Sequence, residues 1–164
     1  MASRPAQLVA AITLLVGVWL AFDWYMSDER KIHRRLEHIQ RLVAKTPAES
    51  DLAGLGSARK IAEQFAEPFA VRADPEGYSA TDRRTLIGGI HQYRSRSSAL
   101  VMEISGEQIF LDQNDSGANS FFTARFISDL SDLRSADRYD VRIHWVHSNK
   151  GWLIDDVQVS AAQL

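Results

Sequence analysis

Apolar positions divide the chain into three regimes. From Leu8 to Phe22 they run without a charged residue, and Trp24, Tyr25 and Met26 extend the run past Asp23. Ala6 to Met26 is 21 residues, close to the ~20 that cross a bilayer's hydrocarbon as a helix. Trp19, Phe22, Trp24 and Tyr25 gather at its far end, where amphipathic rings prefer the headgroup level. Signal-peptide cleavage needs small residues at alternate positions beyond the apolar run. Trp19-Leu20-Ala21-Phe22-Asp23-Trp24 offers no such site, so residues 1–26 are expected to stay as a tail and membrane anchor and residues 27–164 to form the domain.

The second regime has the helical period. Ser27 is placed to cap a helix, with Asp28 and Glu29 in the first turn, where the helix dipole favours acids. Ile32, Leu36, Ile39 and Val43 then fall at i, i+4, i+7 and i+11 on one stripe, and Pro47 marks the stop. A second helix is expected from Asp51 or Ser57 to Pro68, burying Leu55, Ala58, Ala62, Phe65 and Phe69. Arg72 to Tyr78, with Asp74-Pro75 and Glu76-Gly77, reads as a loop. Ser79 with Asp82 three residues on resembles a capping box, opening a third helix with the stripe Leu86, Ile90 and Tyr93. Gly88-Gly89 inside it costs about 1 kcal/mol per glycine relative to alanine, a pattern that suits close packing against a sheet.

From Ser98 the period becomes 2. Leu100, Met102 and Ile104 alternate, and Ile109 and Leu111 follow after Ser105-Gly106. Phe122, Ala124 and Phe126 share one face of the next strand, with Phe121, Thr123, Arg125 and Ile127 on the other. Tyr139, Val141, Ile143 and Trp145 share a face of the strand after that, opposite Asp140, Arg142, His144 and Val146. Asn149-Lys150-Gly151 is the strongest hairpin signal in the chain. The last strand starts with Trp152 and Ile154 on one face, then slips to Val157 and Val159, which predicts a bulge at Asp155-Asp156. Three helices followed by antiparallel strands indicate an α+β domain, its helices covering one face of a curved sheet.

Composition narrows function mainly by exclusion. Lys and Arg number 19 against 21 Asp and Glu, so no long-range positive field recruits nucleic acid. Cysteine is absent, which removes disulfides, thiolate nucleophiles and Cys-based zinc sites. His144 and His147, three apart on a strand, point to opposite faces, and His33 and His38 lie about 140° apart around a helix. Neither pair chelates one ion, and no phosphate loop or nucleophile elbow occurs. No metal or cofactor is expected.

The opening Ser27-Asp28-Glu29-Arg30-Lys31-Ile32, the helix Ala58 to Phe65 (ARKIAEQF) and the ending Arg138 to Trp145 (RYDVRIHW), turn, Gly151-Trp152-Leu153-Ile154 together resemble the nuclear transport factor 2-like superfamily, in its SnoaL-like, polyketide-cyclase-like cone form. The similarity covers about residues 27–161 and is nearest to the bacterial subgroup with an N-terminal membrane helix. It implies a cone-shaped domain with a cavity, lined here by Phe122, Phe126, Tyr139, Trp145 and Trp152. The fold hosts cyclases, isomerases and dehydratases as well as binding and dimerisation modules, so it does not fix function.

Basic residues flank the anchor unequally, Arg4 before it and Arg30, Lys31, Arg34 and Arg35 after it. A positive-inside count taken alone puts the domain in the cytoplasm. Asp23, Asp28 and Glu29 come first, however, and the basic residues belong to the domain's own first helix. The domain is therefore expected on the periplasmic side of a bacterial inner membrane, with Arg30, Lys31, Arg34 and Arg35 near anionic headgroups.

Two function classes follow. The first is a non-enzymatic module that binds a second copy, a membrane-protein partner or a small apolar ligand. Its contact face would comprise Phe121, Arg125, Ile127, Arg142, His144 and Val146, because a strand covered on one side only needs one apolar face. The second is an acid–base enzyme on a small hydrophobic substrate. It needs His91, Asp140, His144 or Asp156 in a closed apolar pocket, for example as a His91–Asp156 pair at the cone mouth.

Overall fold

The computed structural model describes Leu15 and residues 27–74, 77–113, 116–130 and 133–162. The expected anchor and its retention concern residues 1–26, which apart from Leu15 lie outside the described residues. Among the described residues no helix is long and apolar enough to cross a membrane.

The chain order is α1 (Asp28–Val43), α2 (Asp51–Ala62), β1 (Phe65–Ala73), β2 (Tyr78–Ala80), α3 (Arg83–Ser95), β3 (Ala99–Leu111), β4 (Gly117–Leu130), β5 (Leu133–Ser148) and β6 (Gly151–Ala161). The six strands form one sheet in the order β2-β1-β6-β5-β4-β3. All neighbours are antiparallel except β1 and β6, which run parallel. The expected all-antiparallel sheet is thus corrected to a mixed one, and the strands β1 and β2 fall between the second and third helices rather than after all three.

That correction has one physical source. Phe65 and Phe69 are four apart, and positions i and i+4 share a face in a helix and in a strand alike. Both are buried as expected, but on β1, because α2 ends at Ala62 instead of reaching Pro68. The expected loop from Arg72 to Tyr78 shortens accordingly, since β1 runs to Ala73 and β2 begins at Tyr78. Ser79 belongs to β2, and the cap of α3 is Asp82, whose carboxylate accepts the Thr85 amide at 2.9 Å and its hydroxyl at 2.7 Å.

α1 keeps its predicted stripe, with Ile32, Leu36 and Ile39 buried. Ser27 occupies the N-cap position without a side-chain capping bond, and the helix ends at Val43, before Pro47. α2 is capped by Ser50, whose hydroxyl accepts the Ala53 amide. In α3 the stripe is rotated. Leu86 is buried, but Tyr93 is exposed and Arg94 takes the inner position. β3 passes through Ser105-Gly106 as one bulged strand, its pairing with β4 shifting between Ser105 and Gln108. The predicted β5–β6 hairpin is present, with Gly151 at φ 86, and so is the predicted bulge, where Asp155 lies between the His144–Asp156 and Trp145–Ile154 pairs.

α1 is tied to that hairpin at its start. Asp28 Oδ1 accepts from Lys31 Nζ at 2.9 Å and from the Trp152 indole at 3.2 Å. These bonds, the one from Lys31 first, hold the Asp28 carboxyl below its usual value against partial burial, which pushes the other way.

The two glycines of α3 are not equivalent. A Cβ on Gly89 would lie 2.3 Å from the Tyr78 hydroxyl and 2.6 Å from its ring, whereas one on Gly88 meets nothing. Gly89 thus fulfils the expected close approach to the sheet, through β2. Gly89→Ala is expected to destabilise by about 1–3 kcal/mol through overpacking, and Gly88→Ala to stabilise by up to about 1 kcal/mol through helix propensity. Urea titrations of the two variants read the opposite signs directly.

Candidate functional site

Strand alternation separates a face covered by the helices from one left uncovered among the described residues. On the covered face Val141, Ile143 and Trp145 of β5 meet Phe122 and Ala124 of β4 and Trp152, Ile154 and Val157 of β6, all buried. Trp145 is 0% and Trp152 1% exposed, and the Trp145 indole donates to Ser120 Oγ at 2.8 Å. Phe126 and Tyr139 are partly buried, their rings edge-to-face at 5.8 Å, with Tyr93 of α3 against Phe126 at 6.1 Å. The five aromatics expected around a cavity therefore stand together on the inner face, where they pack as core. Among the described residues the buried polar side chains are Arg94, Ser97, Ser120 and Ser128; no histidine or carboxylate is among them.

The candidate acid–base residues are dispersed. His91 of α3 faces Asp51 at 3.3 Å, with its Nδ1 buried and lacking a hydrogen-bond partner. Asp156 lies on the uncovered face, bonded to Arg72 at 2.8 Å and to the Gln158 amide at 2.9 Å. The structure does not bring His91 and Asp156 together. Asp140 is exposed and accepts from Thr123 Oγ1 at 2.9 Å. His144 has the closest carboxylate contact of the four. Its Nδ1 is 2.6 Å from Asp155 Oδ1, and its Nε2 faces Asp112 Oδ2 at 3.7 Å above the bare Cα of Gly117.

The uncovered face carries the residues named for contact. Phe121 is 39% exposed. Arg142 lies over its ring at 5.6 Å and donates from Nε and one terminal nitrogen to Asn119 Oδ1 at 3.3 and 3.1 Å. Arg125 pairs with Glu103 at 3.2 Å. Ile127 stands across from Val101 and Val146 across from Leu153. Phe121, Thr123, Asp140, Arg142, Gln158 and Ser160 line a shallow groove of about 450 Å³. Two apolar members escaped the sequence reading, Val101 at 47% and Phe110 at 55% exposure, the latter edge-to-face with Phe121 at 6.0 Å. Their signal was available in the residues that alternate with Leu100, Met102, Ile109 and Leu111.

Of the four basic residues expected at a membrane surface, Lys31 pairs with Asp28 at 2.9 Å. Arg35 donates to Gln64 Oε1 at 2.9 Å and to the Lys150 carbonyl at 2.8 Å, and burial pulls its guanidinium below its ordinary value. Arg30 and Arg34 also engage neighbours. Among the described residues no group of three or more His, Asp or Glu is placed to hold a metal ion.

No family model matches the sequence, and no curated protein does. Solved structures do match. An NTF2-like protein with a cystatin-like fold from Novosphingobium aromaticivorans superposes with a TM-score of 0.65 at 13% identity, covering 99% of this chain and 92% of that one. A scytalone dehydratase-like protein from the same organism gives 0.67 at 14% identity over 82% and 84%. A protein described as a calcium/calmodulin-dependent protein kinase II association domain from Xanthomonas campestris gives 0.66 at 13% over 81% and 86%.

Proposed function

On the premise of a nuclear transport factor 2-like fold, we propose that this chain is a non-enzymatic contact module tethered to a bacterial inner membrane by residues 1–26. The domain lies on the periplasmic side and pairs through its uncovered sheet face with a second copy. The observation that supports this most is the contrast between the two faces. The inner face is filled by Phe122, Trp145 and Trp152, while the outer one exposes Phe121 at the groove, Phe110 against its ring and Val101 further along β3. Apolar groups of this kind on an uncovered sheet mark interaction surfaces when they are contiguous. Arg125, Arg142 and His144 supply the polar members, and Ile127 and Val146 continue the apolar part. Two anchored copies also meet at raised effective concentration, which favours pairing without further contacts.

Sedimentation of the full chain in detergent, with and without Phe121→Asp, tests the proposal. The unaltered chain is expected to be a dimer at micromolar concentration and the variant a monomer with an unchanged circular dichroism spectrum. A monomer at high micromolar concentration, unaffected by the substitution, removes self-association and leaves a membrane-protein partner as the occupant.

A second reading is an acid–base enzyme acting on a small hydrophobic substrate. The dehydratase-like neighbour and the 2.6 Å His144–Asp155 pair favour it. That pair sits on the uncovered face, so an enzyme of this kind would work outside the cone rather than within it.

A further inference from the structure

We infer that the cleft between α1 and the edge strand β3 takes an extended peptide segment carrying lysine or arginine, added to the sheet as a further antiparallel strand. This site is separate from the uncovered face. β3 ends the strand order and so, among the described residues, has one side without a neighbouring strand. Such an edge is a template for another chain unless it is blunted.

Here the protein covers part of the edge and leaves part of it. Lys45 forms both main-chain bonds with Leu100, at 2.8 and 3.1 Å, in antiparallel sense. The Gln40 amide then caps the Met102 carbonyl at 2.8 Å. Because main-chain groups alternate along a strand, the N–H and C=O of Ile104 point the same way as those of Leu100 and Met102. No loop or side-chain group among the described residues meets them.

A cavity of about 280 Å³ opens at this point, between His33, Leu36, Glu37 and Gln40 of α1 and Ile104 to Glu107 of β3. Leu36 and Ile104 supply an apolar floor. The bulge at Gly106-Glu107 turns Glu107 back towards the helix, where its Oε2 is 2.6 Å from His33 Nδ1 and His33 Nε2 is 3.4 Å from Glu37. The other oxygen of Glu107 is buried and has no donor. The rim thus carries two carboxylates around a single imidazole, which selects a cation, while the edge main chain selects an extended backbone. A segment with a cation, a small apolar residue and a second cation at alternate positions places all three towards α1.

The probe is acetyl-Lys-Thr-Val-Thr-Lys-Thr-amide, titrated into the full chain beside the same peptide with Glu replacing Lys. Saturable binding of the basic peptide alone is expected, with slowed amide exchange at Ile104. Glu37→Lys, an exposed substitution, is expected to weaken binding by about tenfold or more, of the order of one lost charge pair and one new repulsion. Phe121→Asp is expected to leave binding unchanged, which separates this site from the uncovered face. Equal binding of the two peptides, indifference to Glu37→Lys, or unaltered exchange at Ile104 each overturns the assignment.

Discussion

Arg94→Ala is expected to be among the most damaging single substitutions in the domain, destabilising it by about 3–5 kcal/mol, the usual range for removing one partner of a buried ion pair. Arg94 is 2% exposed. Its guanidinium donates to the carbonyls of Leu42, Val43 and Ala44, the last turn of α1 and its cap, and to Glu49 Oε1 at 2.6 Å. A helix leaves its last carbonyls without intrahelical partners, and here one side chain from α3 satisfies three of them. The substitution strands those carbonyls and the mostly buried Glu49 together. Adding Glu49→Leu relieves the carboxylate only, so the double variant is expected to recover part of the loss. Full recovery in a denaturant titration would show that the carbonyls contribute nothing and that the ion pair alone matters.

Trp145→Ala is expected to be comparable, about 3–5 kcal/mol by the cost of emptying a buried aromatic site. It removes a fully buried ring near the end of β5 and leaves Ser120 without its indole donor. It also reads the inner face directly. If Trp145 is what fills the cone, the variant gains an apolar cavity of the kind that stays dry and admits benzene, and benzene is expected to raise its melting temperature but not that of the unaltered chain. An equal benzene effect on both would mean that an apolar site already exists inside, and would favour the small-ligand and enzyme readings over a contact module.

How much of this was legible from the sequence depended on whether one periodicity had a single reading. The β5 alternation, Tyr139 to Trp145 against Asp140 to Val146, admits no helical reading, and both faces came out as expected. The hairpin at Asn149-Lys150-Gly151 and the bulge at Asp155 were equally direct. Phe65 and Phe69 fit two periods, so a strand was read as a helix. Arg94 was hidden for a different reason. Leu86, Ile90 and residue 94 form a sound i, i+4, i+8 stripe, but an arginine at its end reads as solvent-facing until the carbonyls and the carboxylate it meets are known. The bulge at Gly106-Glu107 joined two expected strands into one and set Glu107 against His33. That pairing spans distant parts of the chain, and no local pattern announces it.

The parallel contact between β1 and β6 bears on when the domain can form during synthesis. β6 follows the other five strands in sequence yet lies inside the sheet, with β1 on one side and β5 on the other. Until it has left the ribosome, β2-β1 and β5-β4-β3 are two unconnected pieces, and Trp152 and Ile154 are missing from the core. Much of the contact energy is therefore long-range in sequence, an arrangement that slows folding. The growing chain must wait with apolar strands exposed, as incompletely folded chains do when they become prone to aggregate.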